Sequence, residues 1–170
     1  MSFLSVRLFT AGLAFGMSSA FAASSPQPAQ PLQHSEVSLA LAMQLVDGAL
    51  AACHAKGRIA VAAVVDRGGN LVALLRDDNV GPHNTAAAQR KAYTALSTRT
   101  TTRLLAERAR NDADSANLNT IDALLLLGGG VPLVAERQVI GAIGVAAAGG
   151  ASMDEYCAMQ AIAQFLPPTN

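Results

Sequence analysis

The sequence predicts one α/β (α+β) domain, a single five-stranded antiparallel sheet flanked by helices in the order α-ββ-αα-βββ-α. Three observations predict it. Apolar residues recur at three- and four-residue steps between 36 and 56, the mark of a helix. The period then changes to β-branched runs joined by Arg67-Gly68-Gly69-Asn70, a connection too short for a parallel crossover. Near the C-terminus, Ser152-Met153-Asp154-Glu155 has the pattern of a capping box that opens a last helix.

The elements follow in order. The first helix, residues 36–56, carries an apolar stripe of Leu39, Ala42, Met43, Val46, Ala49, Leu50 and Cys53, with Ser35 expected as N-cap and Gly57 as the C′ residue. Residues 59–66 and 71–76 form a β-hairpin. A polar loop spans 77–83, and Asn84 is expected to cap a helix running to about Ser97. A further helix covers 100–110, and residues 111–120 are polar with a helical turn. Leu124 to Leu127 is expected as a short strand, followed by strands at 133–136 and 139–147 that turn at Arg137-Gln138. The final helix ends near Phe165, where Pro167-Pro168 stops it.

Before the domain lie two segments of different character. Arg7 is the only charged residue before Glu36, an apolar run covers 8–17, and Ala20-Phe21-Ala22 has the A-x-A form of a cleavage site. Residues 1–22 therefore read as a secretory signal peptide. The apolar run is about half of the ~20 residues that a membrane span needs. Residues 23–35, rich in Pro, Gln and Ser, read as a flexible leader; 36–166 form the domain and 167–170 a tail. The expected destination is periplasmic or secreted, with no stable membrane insertion.

Charge excludes some partners. The chain holds 12 basic and 12 acidic residues, and loss of Arg7 leaves 11 against 12, a net charge of −1. There is no basic stripe and no Trp, so nucleic acid is not an expected partner. Cys53 and Cys157 are either one disulfide, which an oxidising compartment permits, or two buried thiols; both readings stay open.

Motifs for catalysis are missing. Gly128-Gly129-Gly130 lacks the Lys-Ser/Thr of a phosphate loop, and Gly141 and Gly144 lie in a strand, so all of these serve turns and close backbone packing. No G-x-S-x-G occurs, and the two cysteines sit at apolar helical positions. Gly149-Gly150 at a helix start has free amides for an anion, but the capping box would use two of them.

His83 is the candidate ligand. It stands in the loop Asp77-Asp78-Asn79-Val80-Gly81-Pro82-His83-Asn84, directly before a helix. The positive end of a helix disfavours an imidazolium, and neutral imidazole is the form that binds metal. Ala87 leaves room beside the ring for a flat ligand. Arg90 and Lys91 follow two turns on, as cations for carboxylates such as haem propionates. A divalent metal held by Asp77, Asp78 and His83 is an alternative.

Five motifs in order carry a resemblance. They are residues 64–72 (VVDRGGNLV), 90–95 (RKAYTA), 127–133 (LGGGVPL) and 139–145 (VIGAIGV), with Asp154-Glu155. Together they resemble the GlcG/HbpS-like family of haem-binding proteins, which also covers the C-terminal domain of PduO-type corrinoid adenosyltransferases. The resemblance spans about residues 36 to 166. It implies a five-stranded, profilin-like antiparallel sheet and assembly into homo-oligomers from dimers to octamers. It also implies haem, or iron and cobalamin-like cofactors, near subunit interfaces. Exported members are linked to haem scavenging and to partner sensor proteins.

His83 matches the Gly-Pro-His loop of part of the family. Arg90 and Lys91 match its Arg-Lys-Ala motif, which a structural salt bridge explains equally well. The Glu-x-x-Glu iron-binding motif of some secreted members has no counterpart. The expected function is thus an exported haem-binding protein for scavenging, transfer or sensing. The alternatives are an enzyme or accessory that binds a small organic acid or corrinoid-type cofactor in an interface cleft, and a non-catalytic module for a membrane sensor.

Overall fold

The computed structural model describes residues 29–166; the signal-peptide segment and the tail at 167–170 lie outside the described residues. From residue 33 onward the chain is one unit. Its elements are α1 (Leu39–His54), β1 (Val61–Val65), β2 (Leu71–Arg76), α2 (His83–Thr98), α3 (Thr102–Asn111), α4 (Ala113–Ala116), a 3₁₀ turn (Asn117–Thr120), β3 (Gly130–Ala135), β4 (Gln138–Ala146) and α5 (Ala151–Phe165). The α+β class and the antiparallel sheet with flanking helices are as expected. The sheet has four strands, in the order β2-β1-β4-β3, rather than five.

The missing strand is residues 124–127. Their polar groups bond to side chains and to nearby turn carbonyls instead of a strand partner: the Leu124 amide donates to Ile121 O and the Leu127 amide to Leu125 O. The Leu125 amide donates to Thr94 Oγ1 at 2.8 Å, and Leu127 O accepts from Thr102 Oγ1 at 2.8 Å. Leu124 O accepts from Arg90 Nη2 at 2.7 Å. Pairing with β4 begins only at Gly130, whose amide donates to Thr102 Oγ1.

Two different cores lie on the two sheet faces, as the two-residue side-chain period requires. Ala62 and Val64 of β1 and Ile143 and Val145 of β4 face α1 and α5. Val61, Ala63 and Val65, with Ala142 and Ala146, face α2 through Ala88, Ala92 and Ala95. This second face is built from small side chains, so the helix lies close to the strands. At Gly144 the approach is closest: a Cβ there would overlap Ala88 O and stand 2.6 Å from Ala92 N.

Helix α1 starts later than its periodicity suggests. Ser38, not Ser35, is the N-cap, and its hydroxyl accepts from the Leu41 amide at 3.2 Å. The buried face is Ala42, Leu45, Val46, Gly48, Ala49, Leu50 and Cys53, while Leu39 and Met43 are exposed. Cys53 and Cys157 are bonded as a disulfide, Cα–Cα 5.4 Å, which joins α1 to α5. Of the two readings left open above, the disulfide is the one realised.

The capping box does not form. Helix α5 begins at Ala151 with Gly150 as N-cap, at φ 128°, and no side chain caps it. Glu155 instead accepts from Arg103 Nε at 2.6 Å, and Asp154 turns inward. Asn84 likewise lies inside α2 rather than before it; Pro82 is the N-cap, and Asn84 Nδ2 donates back to Gly81 O. Among the described residues no helix is long and apolar enough to cross a membrane.

Candidate functional site at the start of helix α2

The loop before α2 is held at several points. Asp77 Oδ2 accepts from the Ala60 amide at 2.7 Å and is paired with His54 Nε2 at 2.9 Å. An Arg76 guanidinium nitrogen donates to Val80 O. Val80 is buried against Val61, Ala63, Ala88 and Ala146, and Asn79 takes a positive φ of 61° to let the chain turn. A loop anchored this way presents its last residue in a defined direction.

That residue is His83, the first of α2. Its side chain is exposed, and its ring makes no hydrogen bond among the described residues. Ala87 stands one turn on and Arg90 two turns on, so both share the ring's side of the helix. The rise of 1.5 Å per residue puts His83 and Arg90 about 10 Å apart along the axis. Arg90 is exposed. Its Nη2 donates to Asp122 O and Leu124 O, both at 2.7 Å, which ties the 121–127 segment to α2.

Lys91 is elsewhere. Its side chain is 1% exposed, and Nζ donates to Asp154 Oδ2 at 2.7 Å and to Val145 O at 3.0 Å. Asp154 Oδ1 accepts from the Ala148 amide at 2.8 Å. One residue beyond Arg90, the helical rotation turns the side chain from solvent into the protein. The expectation that Lys91 meets a surface ligand is corrected: its ammonium is already neutralised inside the subunit. The Arg-Lys-Ala motif thus splits into one surface cation and one internal ion pair. The only advance sign of the partner was Asp154-Glu155 at the other end of the chain.

The divalent-metal alternative is not assembled. Asp77 is occupied by His54 and the Ala60 amide, and among the described residues no three His, Cys, Asp or Glu side chains stand close enough to hold an ion.

Fold and site together define a small α+β domain, a four-stranded antiparallel sheet flanked by helices, with an exposed imidazole at the start of α2 that makes no hydrogen bond among the described residues. The model of the haem-degrading, HbpS-like proteins matches residues 37–163, and the chain belongs to that family. It is 41% identical to protein GlcG of Escherichia coli over 83 residues, which cover 49% of this chain and 60% of GlcG; the match therefore spans well under two thirds of that relative.

Among solved structures, HbpS is similar over 83% of this chain and 98% of its own, at 34% identity and a TM-score of 0.75. A double mutant of HbpS from Streptomyces reticuli superposes with a TM-score of 0.74 at 35% identity, covering 84% and 98% of the two chains. PduOC, solved as a haem complex, shares the fold with a TM-score of 0.69 at 23% identity, over 75% and 94% of the two chains.

Proposed function

We propose that this protein binds haem, with His83 as axial ligand and Arg90 beside a propionate, and that it acts outside the cytoplasm as an oligomer. The observation that carries the reading is the exposed His83 ring, which makes no hydrogen bond among the described residues, on an anchored loop. Membership of the HbpS-like family and the haem complex of PduOC, a protein of the same fold, support the choice of ligand.

The residues fit the group in kind. An imidazole nitrogen supplies the lone pair that an axial position needs. The small side chains of Ala86 and Ala87 leave the adjoining helix surface open to a flat ring. Arg90 spends one guanidinium nitrogen on the carbonyls of 122 and 124, leaving donors for a carboxylate. Haem bound there would bring ligand exchange and redox capacity, while the protein's part is to hold and orient it.

Export is supported by the cationic, apolar and A-x-A pattern of residues 1–22 and by the Cys53–Cys157 disulfide, a bond that persists in oxidising compartments. The destination we propose is periplasmic or secreted. Assembly as a homo-oligomer would cover the exposed side of a ligand seated on α2. The test is titration of the purified protein with haemin. A saturable Soret shift is expected, weakened on the order of tenfold in Arg90→Gln; a spectrum that stays that of free haemin would overturn the proposal.

A further inference from the structure

At the opposite end of α2 lies a second cleft, of about 340 Å³, between the β1–β2 turn, the start of β4 and the C-terminal half of the helix. Arg67, Tyr93, Ser97 and Arg99 line it with donors, and Leu96 and Val139 give it a short apolar wall. Ser97 is fourteen residues beyond His83, about 21 Å along the helix axis, so this cleft is separate from the haem site.

Its walls are fixed before any ligand arrives. Asp66 accepts from the Asn70 amide at 2.8 Å and closes the turn that carries Arg67. The Arg67 amide donates to Glu36 Oε1 at 2.9 Å, and its Nη1 donates to Val139 O at 2.7 Å. Gly69, at φ 82°, lies against the Tyr93 ring, with a Cβ there falling 2.7 Å from the ring edge. Arg99 closes α2 in the left-handed region, at φ 51°.

Charge points to the occupant. Neither the Arg67 nor the Arg99 guanidinium pairs with a carboxylate among the described residues; Glu36 Oε1 accepts from the backbone amides of Arg67 and Val37. A cation at a helix C-terminus is favoured by the helix dipole, which accounts for Arg99 but not for Arg67 arriving from the turn. Two guanidinium forks match two carboxylates, and the hydroxyls of Tyr93 and Ser97 add neutral hydrogen bonds. We propose that this cleft binds a small dicarboxylate of about four carbons, whose two charges balance the two arginines and whose methylenes rest on Leu96 and Val139.

Succinate is the probe, titrated calorimetrically into the purified protein at low ionic strength. Saturable binding with one succinate per chain is expected, at a Kd of about 1 mM or tighter. Arg99→Gln and Ser97→Ala alter exposed residues and leave the packing intact. Arg99→Gln is expected to weaken succinate about tenfold or more, Ser97→Ala by less, and inorganic phosphate to bind about tenfold more weakly than succinate. Absence of saturable binding up to about 10 mM, an Arg99→Gln variant with unchanged affinity, or phosphate binding as tightly as succinate would each overturn the proposal.

Discussion

Lys91 Nζ lies 2.7 Å from Asp154 Oδ2, with both side chains buried, so charge joins α2 on one side of the sheet to the first turn of α5. Each member has a further partner: Val145 O takes a second bond from the ammonium, and the Ala148 amide donates to the other carboxylate oxygen. Removing one partner strands the other charge inside, which costs about 3–5 kcal/mol. Asp154→Asn and Lys91→Met should each lower unfolding stability by that order in urea titration. The double replacement Lys91→Met, Asp154→Leu should be less damaging than the sum of the two single changes. Single variants that lose under about 1 kcal/mol would show that the pair is not closed off from water.

The disulfide closes a sequence separation of 104 residues, between two helices that pack on the same sheet face. Loops of that length give the upper end of the chain-entropy estimate, and measured losses are typically about 2–4 kcal/mol. Cys53→Ser with Cys157→Ser should fold to the same structure with stability lower by that amount. The wild type should show a matching drop in melting temperature when reductant is added, and the double variant none.

Gly144 tests how closely α2 approaches the sheet. Its missing Cβ is the space in which Ala88 O and Ala92 N sit. Gly144→Ala must push the helix away or distort β4, and overpacking of this kind costs about 1–3 kcal/mol. A melting curve unchanged from wild type would contradict the close packing described here.

Asp66 gives a pH dependence with a defined sign. Burial acts against its ionised form, but hydrogen bonds from the Asn70 side chain and backbone and from the amides of Gly68 and Gly69 outweigh that and hold its carboxyl below the ordinary value of 3.8. A group depressed in the folded state stabilises fully above its unfolded pKa, and the contribution is lost as pH falls through the folded one. Asp66→Asn should therefore be less stable than wild type at neutral pH, with the gap closing only as the pH drops below about 3.8. Denaturant midpoints measured for both proteins across the acid range check this; a gap independent of pH would contradict it.

Much of this fold was legible because its period changes are abrupt. The helix of 36–56, the hairpin around Arg67–Asn70 and the last helix each carry signals within a few residues, and all three occur. Two of the differences share a cause, in that long-range partners override local pattern. Leu124–Leu127 has a strand's composition, yet hydroxyls of Thr94 and Thr102 on two helices claim its backbone groups. Ser152 and Glu155 have capping-box spacing, yet Arg103 takes the glutamate.

The site divides in the same way. His83 and Arg90 stand on the exposed side of α2, as loop position and helical spacing suggest. For Lys91 the sequence leaves a propionate contact and a structural salt bridge open; the structure forms the salt bridge, with a partner 63 residues away that no local pattern names. The arginines of the second cleft come from a turn and a helix end 32 positions apart, a distance that only folding closes.

The proposed ligand site rests on one imidazole, and the absorption spectrum of the haemin-loaded protein, recorded beside that of His83→Ala, examines it most directly. The account predicts a Soret band characteristic of histidine ligation in the wild type. In the variant that band should be lost and haemin affinity should fall on the order of tenfold or more, while thermal stability is unchanged. Identical spectra and affinities in the two proteins would contradict it.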